Sequence, residues 1–151
     1  MKTKLSGLIG ILLLAAQAPV FANAGMTAVS EQLLNQFRDA YPQAEKVQWN
    51  ESGDHYFVHF KDHQVLSEIE YDHDGNFVGS IRFYSDESLV PTHLSWELHK
   101  RFRNKTVYGI TETNTETETL YYVKLQDSKE WVTVKGTADG IVQIVERFNK
   151  Q

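Results

Sequence analysis

Six histidines are the first residues in this 151-residue chain whose chemistry invites attention. His55, His59 and His63 recur every four residues, a spacing that on a helix would line three imidazoles up on one face for a metal ion. Their neighbours alternate apolar and polar as a strand does. At a strand rise of about 3.3 Å per residue the three would spread over about 27 Å, which no single ion bridges. Two histidines from neighbouring strands could still meet. Asp72-His73-Asp74-Gly75-Asn76 begins like a calcium loop, but such a loop needs its glycine at the sixth position and a distant bidentate acid, and both are missing.

Glu68 and Glu70 share one strand face, as a carboxylate pair for acid–base work would. Solvated acids on an outward face are the usual explanation of such a pair and the one favoured for these two. Nucleophilic chemistry finds no support: the chain has no cysteine, no Gly-x-Ser-x-Gly and no serine in an activating context. It also has no glycine-rich phosphate loop and no basic stripe. These observations point away from an enzyme and imply neither a cofactor nor a resident metal. The remaining lead is aromatic. Tyr, Trp, Phe and Arg anchor protein interfaces, and a few such residues carry most of the binding energy.

The elements that position these residues come in two copies. Shifting the chain by 65 positions aligns 54–83 with 119–148 without a gap, and seven positions are identical: Tyr56/Tyr121, Val58/Val123, Asp62/Asp127, Asp74/Asp139, Gly75/Gly140, Arg82/Arg147 and Phe83/Phe148. Chance would supply roughly two at ordinary residue frequencies. A helical stripe precedes each block. Val29, Leu33, Phe37 and Tyr41, widened by Leu34, end at Pro42; Val90, Leu94, Leu98 and Phe102 follow the same spacing, with Pro91 placed in the first turn. The stripes are 61 positions apart, so the second copy has four extra residues within Thr111–Thr119, a tract of Thr, Glu and Asn alone. That tract reads either as a longer solvated hairpin or as an extension of both strands.

Each block reads as strands over 46–51, 55–61, 64–71 and 77–84, divided by Ser52-Gly53-Asp54, Asp62-His63 and a two-residue Asp74-Gly75 hairpin. The expected fold is α+β, a tandem repeat of two units, each one helix packed on about four antiparallel strands. The units span residues 25–85 and 86–151. Neither buries enough surface alone, so they share a core or join sheets edge to edge. Alternation assigns Tyr56, Val58 and Phe60, with Tyr121, Val123 and Leu125, to the helix-covered face. The outward face then carries Phe57, His59, Leu66, Glu68 and Glu70 from the first unit and Tyr122, Lys124, Trp131 and Arg147 from the second. Phe57, His59, Tyr122, Lys124 and Trp131 are the candidate protein-binding residues, unless another layer covers them.

Several segments resemble the PepSY-like, β-lactamase-inhibitor-like proteins, small exported proteins of Bacteroidetes. They are Phe37–Trp49, with its Tyr41-Pro42 helix exit, the strand Tyr56–Phe60, the turn Tyr71–Gly75, Leu89-Val90-Pro91 opening the second helix, Tyr121–Leu125 and Asp139-Gly140. The resemblance covers nearly all of the chain after residue 24. It implies tandem helix-on-sheet units and, by analogy, a sheet face that grips a protein. Two places depart from the pattern: Phe102-Arg103-Asn104, where the family tends to have Tyr-Pro-Gly, and Lys135-Gly136-Thr137-Ala138, which replaces an aromatic and acidic lead-in.

The N-terminus reads as a cleavable signal peptide over residues 1–24. Lys2 and Lys4 precede an apolar run, and Ala22-Asn23-Ala24 supplies a small-residue cleavage site after Ala24 or Ala22. No cysteine follows for a lipid anchor. Removing Lys2 and Lys4 takes the formal charge from −5 to −7, which argues against nucleic acid or anionic lipid as the partner. The expectation is a periplasmic or secreted, non-catalytic binding or inhibitory module with an exported or surface protein as partner and no membrane contact after cleavage. The alternative is a small-ligand or metal carrier using the cleft between units.

Overall fold

The computed structural model describes residues 29–151; the expected signal peptide lies outside the described residues. Helix α1 (Glu31–Ala40) starts where Ser30 accepts a hydrogen bond from the Leu33 amide at 3.2 Å, a side-chain cap on one of the first-turn donors. It ends before Pro42, with the Tyr41 amide donating to the Phe37 carbonyl at 2.9 Å. Leu33 and Phe37 are its buried residues, and Val29 and Tyr41 flank the helix proper. Helix α2 (Thr92–Arg101) buries Leu94 and Leu98. Pro91 stands just outside it as the cap, not in its first turn; its carbonyl accepts from the Ser95 amide at 2.9 Å, which needs no proline N–H.

Four strands follow each helix: β1 (Glu45–Ser52), β2 (His55–Asp62), β3 (Val65–Asp72) and β4 (Phe77–Tyr84), then β5 (Thr106–Thr115), β6 (Thr119–Gln126), β7 (Glu130–Gly136) and β8 (Val142–Asn149). All eight form one antiparallel sheet in sequence order. The units join edge to edge through β4 and β5, paired from Gly79↔Thr115 to Tyr84↔Ile110. The Thr/Glu tract therefore extends both strands, and β5 at 10 residues uses it to pair with β4 from Gly79 to Tyr84. Alternating β-branched Thr suits a pleated strand, so the polar composition does not make a loop.

The Asp-Gly turns are one residue longer than a two-residue hairpin. The Asp72 amide donates to the Asn76 carbonyl and the Gly75 amide to the Asp72 carbonyl, closing a loop of His73, Asp74 and Gly75. Only Gly75 (φ 82°) takes positive φ there, as Gly140 (φ 88°) does in the second copy; this is the three-residue hairpin with glycine in the left-handed position. The turn read at Asp62-His63 falls one residue later, at His63-Gln64, because Asp62 still pairs with Val65.

Both helices cover the same sheet face. Under α1, Phe37 meets Trp49 and Phe60 edge-on at ring separations of 5.5 and 5.0 Å, and Val58 and Ile69 complete the cluster. Under α2 the packing is aliphatic: Leu94, Leu98, Ile110, Val123, Leu125, Val132 and Val134, joined by Val65 from the first unit. Tyr56, Val58, Phe60, Tyr121, Val123 and Leu125 are all buried, as alternation implies.

Candidate functional site

Among the described residues no helix or strand covers the other sheet face, and its composition follows from the pairing register. Phe57 and His59 project from β2, Leu66, Glu68 and Glu70 from β3, and Ile81 and Phe83 from β4. Across the seam come Thr111 and Thr113 of β5, Tyr122 and Lys124 of β6, Trp131 and Thr133 of β7, and Phe148 of β8. Arg147 belongs on the helix side instead. It pairs with Val132, a fully buried residue, because an extra residue in β8 between Ile144 and Glu146 shifts the alternation. Its guanidinium lies 3.5 Å from Glu130 on that side.

The five expected residues all reach the uncovered face, but in two groups. Phe57 and His59 sit four strands from Tyr122 and Lys124, about 19 Å at ordinary strand spacing. The second group is tight. Trp131 meets Tyr108 edge-on at 4.8 Å between centroids, with the ammonium groups of Lys124 and Lys150 at 5.2 and 4.3 Å from its ring. Between the groups lies an open depression of about 450 Å3 lined by Leu66, Phe83, Tyr108, Tyr122, Lys124 and Thr133. Leu66 (55% exposed), Phe83 (46%), Tyr108 (58%) and Phe148 (54%) are large apolar side chains exposed on this face. Tyr108, Phe83 and Phe148 were not in the candidate set. Phe83 and Phe148 are a repeat-conserved pair and were legible from that, whereas Tyr108 faces outward through a bulge between Val107 and Gly109 that alternation does not foresee.

The three regularly spaced histidines are paired with acids, not with one another. His55 Nδ1 lies 3.1 Å from Glu70, His59 Nδ1 3.1 Å from Glu68 and His63 Nδ1 2.7 Å from Asp62. Among the described residues no group of three or more His, Asp or Glu side chains is placed to hold a metal ion. Glu68 and Glu70 are thus half-exposed partners of histidines across the β2–β3 ladder.

On the helix side, a second gap of about 300 Å3 lies over the seam, lined by Tyr41, Phe60, Asp62, Arg82, Glu112 and Asn114 among others. Arg82 contacts Glu112 at 3.1 Å and the Tyr84 hydroxyl donates to the same carboxylate at 2.9 Å. Burial and that bond push the Tyr84 phenol well above its ordinary range. Both oxygens of the Glu112 carboxylate are thus engaged inside the protein, one by Arg82 and one by Tyr84.

No family profile and no curated protein matches the sequence. Solved structures do. A BLIP-like protein from Bacteroides fragilis superposes with a TM-score of 0.59 at 16% identity, covering 83% of this chain and 89% of that one. DUF2874 family proteins from Bacteroides uniformis (TM-score 0.56, 14% identity, 80% of this chain and 89% of that one) and Bacteroides ovatus (0.57, 15%, 79% and 86%) match over the same extent. At such identities the likeness is one of fold, and it agrees with the resemblance carried by the Tyr-Pro and Asp-Gly segments. Two helices, each preceding four antiparallel strands of a single eight-stranded sheet, give this chain the BLIP-like fold.

Proposed function

We propose that this chain is an exported, non-catalytic binding module that takes a protein partner on the uncovered face of its sheet. The observation that carries the reading is the set of exposed apolar and aromatic side chains on this face, Leu66, Phe83, Tyr108 and Phe148, left bare by a fold that places both helices on the other side. Large bare patches on soluble proteins mark interaction sites. The units are taken as residues 25–85 and 86–151, preceded by a signal peptide over 1–24, with Phe57, His59, Tyr122, Lys124 and Trp131 inside the contact area. The described helices are too short to cross a membrane. A photoreactive amino acid in place of Tyr122 tests the proposal in the native envelope. It should cross-link to protein, while the same probe at Trp96, exposed on α2 on the opposite side, should not. Equal labelling from both positions, or from neither, would count against it.

A small-ligand or metal carrier remains the second reading, motivated by the helix-side gap and by His59 beside Glu68. Titration calorimetry with zinc and copper reads it directly. Tight stoichiometric binding lost in His59→Ala would replace the first proposal.

A further inference from the structure

The strands that join the two units at the seam have repeat equivalents at the two open edges of the sheet. At the seam β4 pairs with β5, and Arg82 lies opposite Glu112 at 3.1 Å. A shift of 65 carries Ile81, Arg82 and Phe83, paired with Glu68, Ser67 and Leu66, onto Glu146, Arg147 and Phe148, paired with Thr133, Val132 and Trp131. A shift of 61 carries β5 onto β1 in the same way: Glu112↔Tyr121 becomes Glu51↔Tyr56, and Thr111↔Tyr122 becomes Asn50↔Phe57. The outer edge of β8 thus repeats the edge that β4 offers β5. The outer edge of β1 repeats the one that β5 offers β4.

We infer that the β8 edge of one copy of this chain receives the β1 edge of a second copy, in the register of the seam. That register sets Glu146 opposite Ser52, Arg147 opposite Glu51, Phe148 opposite Asn50 and Asn149 opposite Trp49. Arg147 and Glu51 share the helix side, since they pair with the buried Val132 and Tyr56, and both side chains are exposed. Their opposite charges therefore meet as those of Arg82 and Glu112 do. The backbone is ready for the contact. The Lys150 amide donates to the Lys129 carbonyl at 2.7 Å, so the alternation of an antiparallel ladder turns the amides of Arg147 and Asn149 outward. Lysine and proline commonly guard an edge strand against such additions. Val142–Asn149 contains neither and exposes Ile144, Val145 and Phe148. The bulge between Ile144 and Glu146 confines the match to the residues that follow it. The contact is heterologous: each copy has one edge to give and one to receive, so copies add head to tail. It leaves the uncovered face free and goes beyond the proposed function, so either can fail without the other.

Disulfide trapping tests it on residues 25–151, which contain no cysteine. Phe148 and Asn50 would meet as a non-hydrogen-bonded pair with Cα atoms about 4.5 Å apart, within disulfide reach. Within one chain they lie on opposite edges of the sheet. Asn50→Cys/Phe148→Cys under mild oxidation should give a ladder of covalent oligomers. Adding Arg147→Glu should weaken the ladder at least tenfold, and adding Glu51→Arg to that variant should restore it. Asn149→Pro removes an outward amide, a change an edge strand tolerates, and should abolish the ladder with circular dichroism unchanged. Sedimentation velocity on the unmodified chain should show its mass rising between about 10 and about 500 μM, the range of weak contacts. A chain that stays monomeric throughout overturns the inference. So does a ladder that survives Asn149→Pro, or a charge reversal that Glu51→Arg fails to repair.

Discussion

At the scale of single residues, the most constrained cation is Lys105, whose side chain is 9% exposed and whose ammonium bonds Asp127 and, at 2.8 Å, Glu130. The Lys105 hydrogen bond, with the Lys129 and Glu130 amides, holds the Asp127 carboxyl far below the usual carboxylate range. Burial alone would lower the lysine, but its two acidic partners outweigh that and raise it. A carboxyl depressed in the folded state stabilises fully above its unfolded value of about 3.9, and the contribution is lost as pH falls through the folded value. Lys105→Met should therefore unfold at lower urea than wild type at pH 7, with the gap narrowing towards pH 2. A gap that stays constant between these pH values would show that packing, not the ion pair, sets the difference. Tyr84→Phe removes a buried bond to a charged group and should cost about 1.5–3 kcal/mol in the same melts. Tyr122→Ala and Trp131→Ala, which keep contact with water, should stay below about 2 kcal/mol. That is less than the 3–5 kcal/mol or so expected for a buried aromatic.

At the scale of elements, the two helices rest on chemically different floors. Tyr71 stacks on Trp49 at 6.1 Å beneath α1. Its repeat equivalent is Gly136, and a Cβ there would stand 2.5 Å from Leu94 Cδ1. The departure from the family pattern at Lys135–Ala138 thus has a steric reason: the missing side chain lets the fully buried Leu94 reach the sheet. Gly136→Ala should overpack this contact and cost about 1–3 kcal/mol, and Leu94→Ala should cost about 3–5 kcal/mol through the cavity it leaves. The double variant should fall well short of their sum, because the new methyl enters the space that Leu94 vacates. Additive urea melts would refute that coupling.

For the whole molecule, the β4–β5 ladder and the shared packing make one cooperative body of two sequence repeats. Val65 of the first unit sits in the cluster under α2, and Arg82 and Tyr84 of β4 hold Glu112 of β5. Thermal unfolding should accordingly show a single transition by near- and far-ultraviolet dichroism, as small cooperative folds do. Residues 25–85 expressed alone should lack a cooperative melt, since β4 would lose its partner and Val65 and Tyr84 their cover. Two resolved transitions in the full chain would show that the units fold independently.

Repeat and periodicity were enough to indicate both helices, about four strands in each unit and the buried faces of β2 and β6. These features depend on neighbours two to four residues apart, and Val58, Phe60, Val123 and Leu125 declare their face through strict alternation. Turn length, bulges and the joining of units depend on hydrogen bonds between distant segments. Only the tertiary structure therefore decided that the Thr/Glu tract lengthens β5 and β6, that the Asp-Gly loops hold three residues, and that Arg147 turns inward while Tyr108 turns out. The candidate site divides the same way. Phe57, His59, Tyr122, Lys124 and Trp131 were legible as outward-facing, but their separation into two groups flanking Leu66 and Phe83 follows from strand order. Strand order is set by β4 pairing with β5 across the 21 residues between Tyr84 and Thr106, a contact that no local pattern encodes.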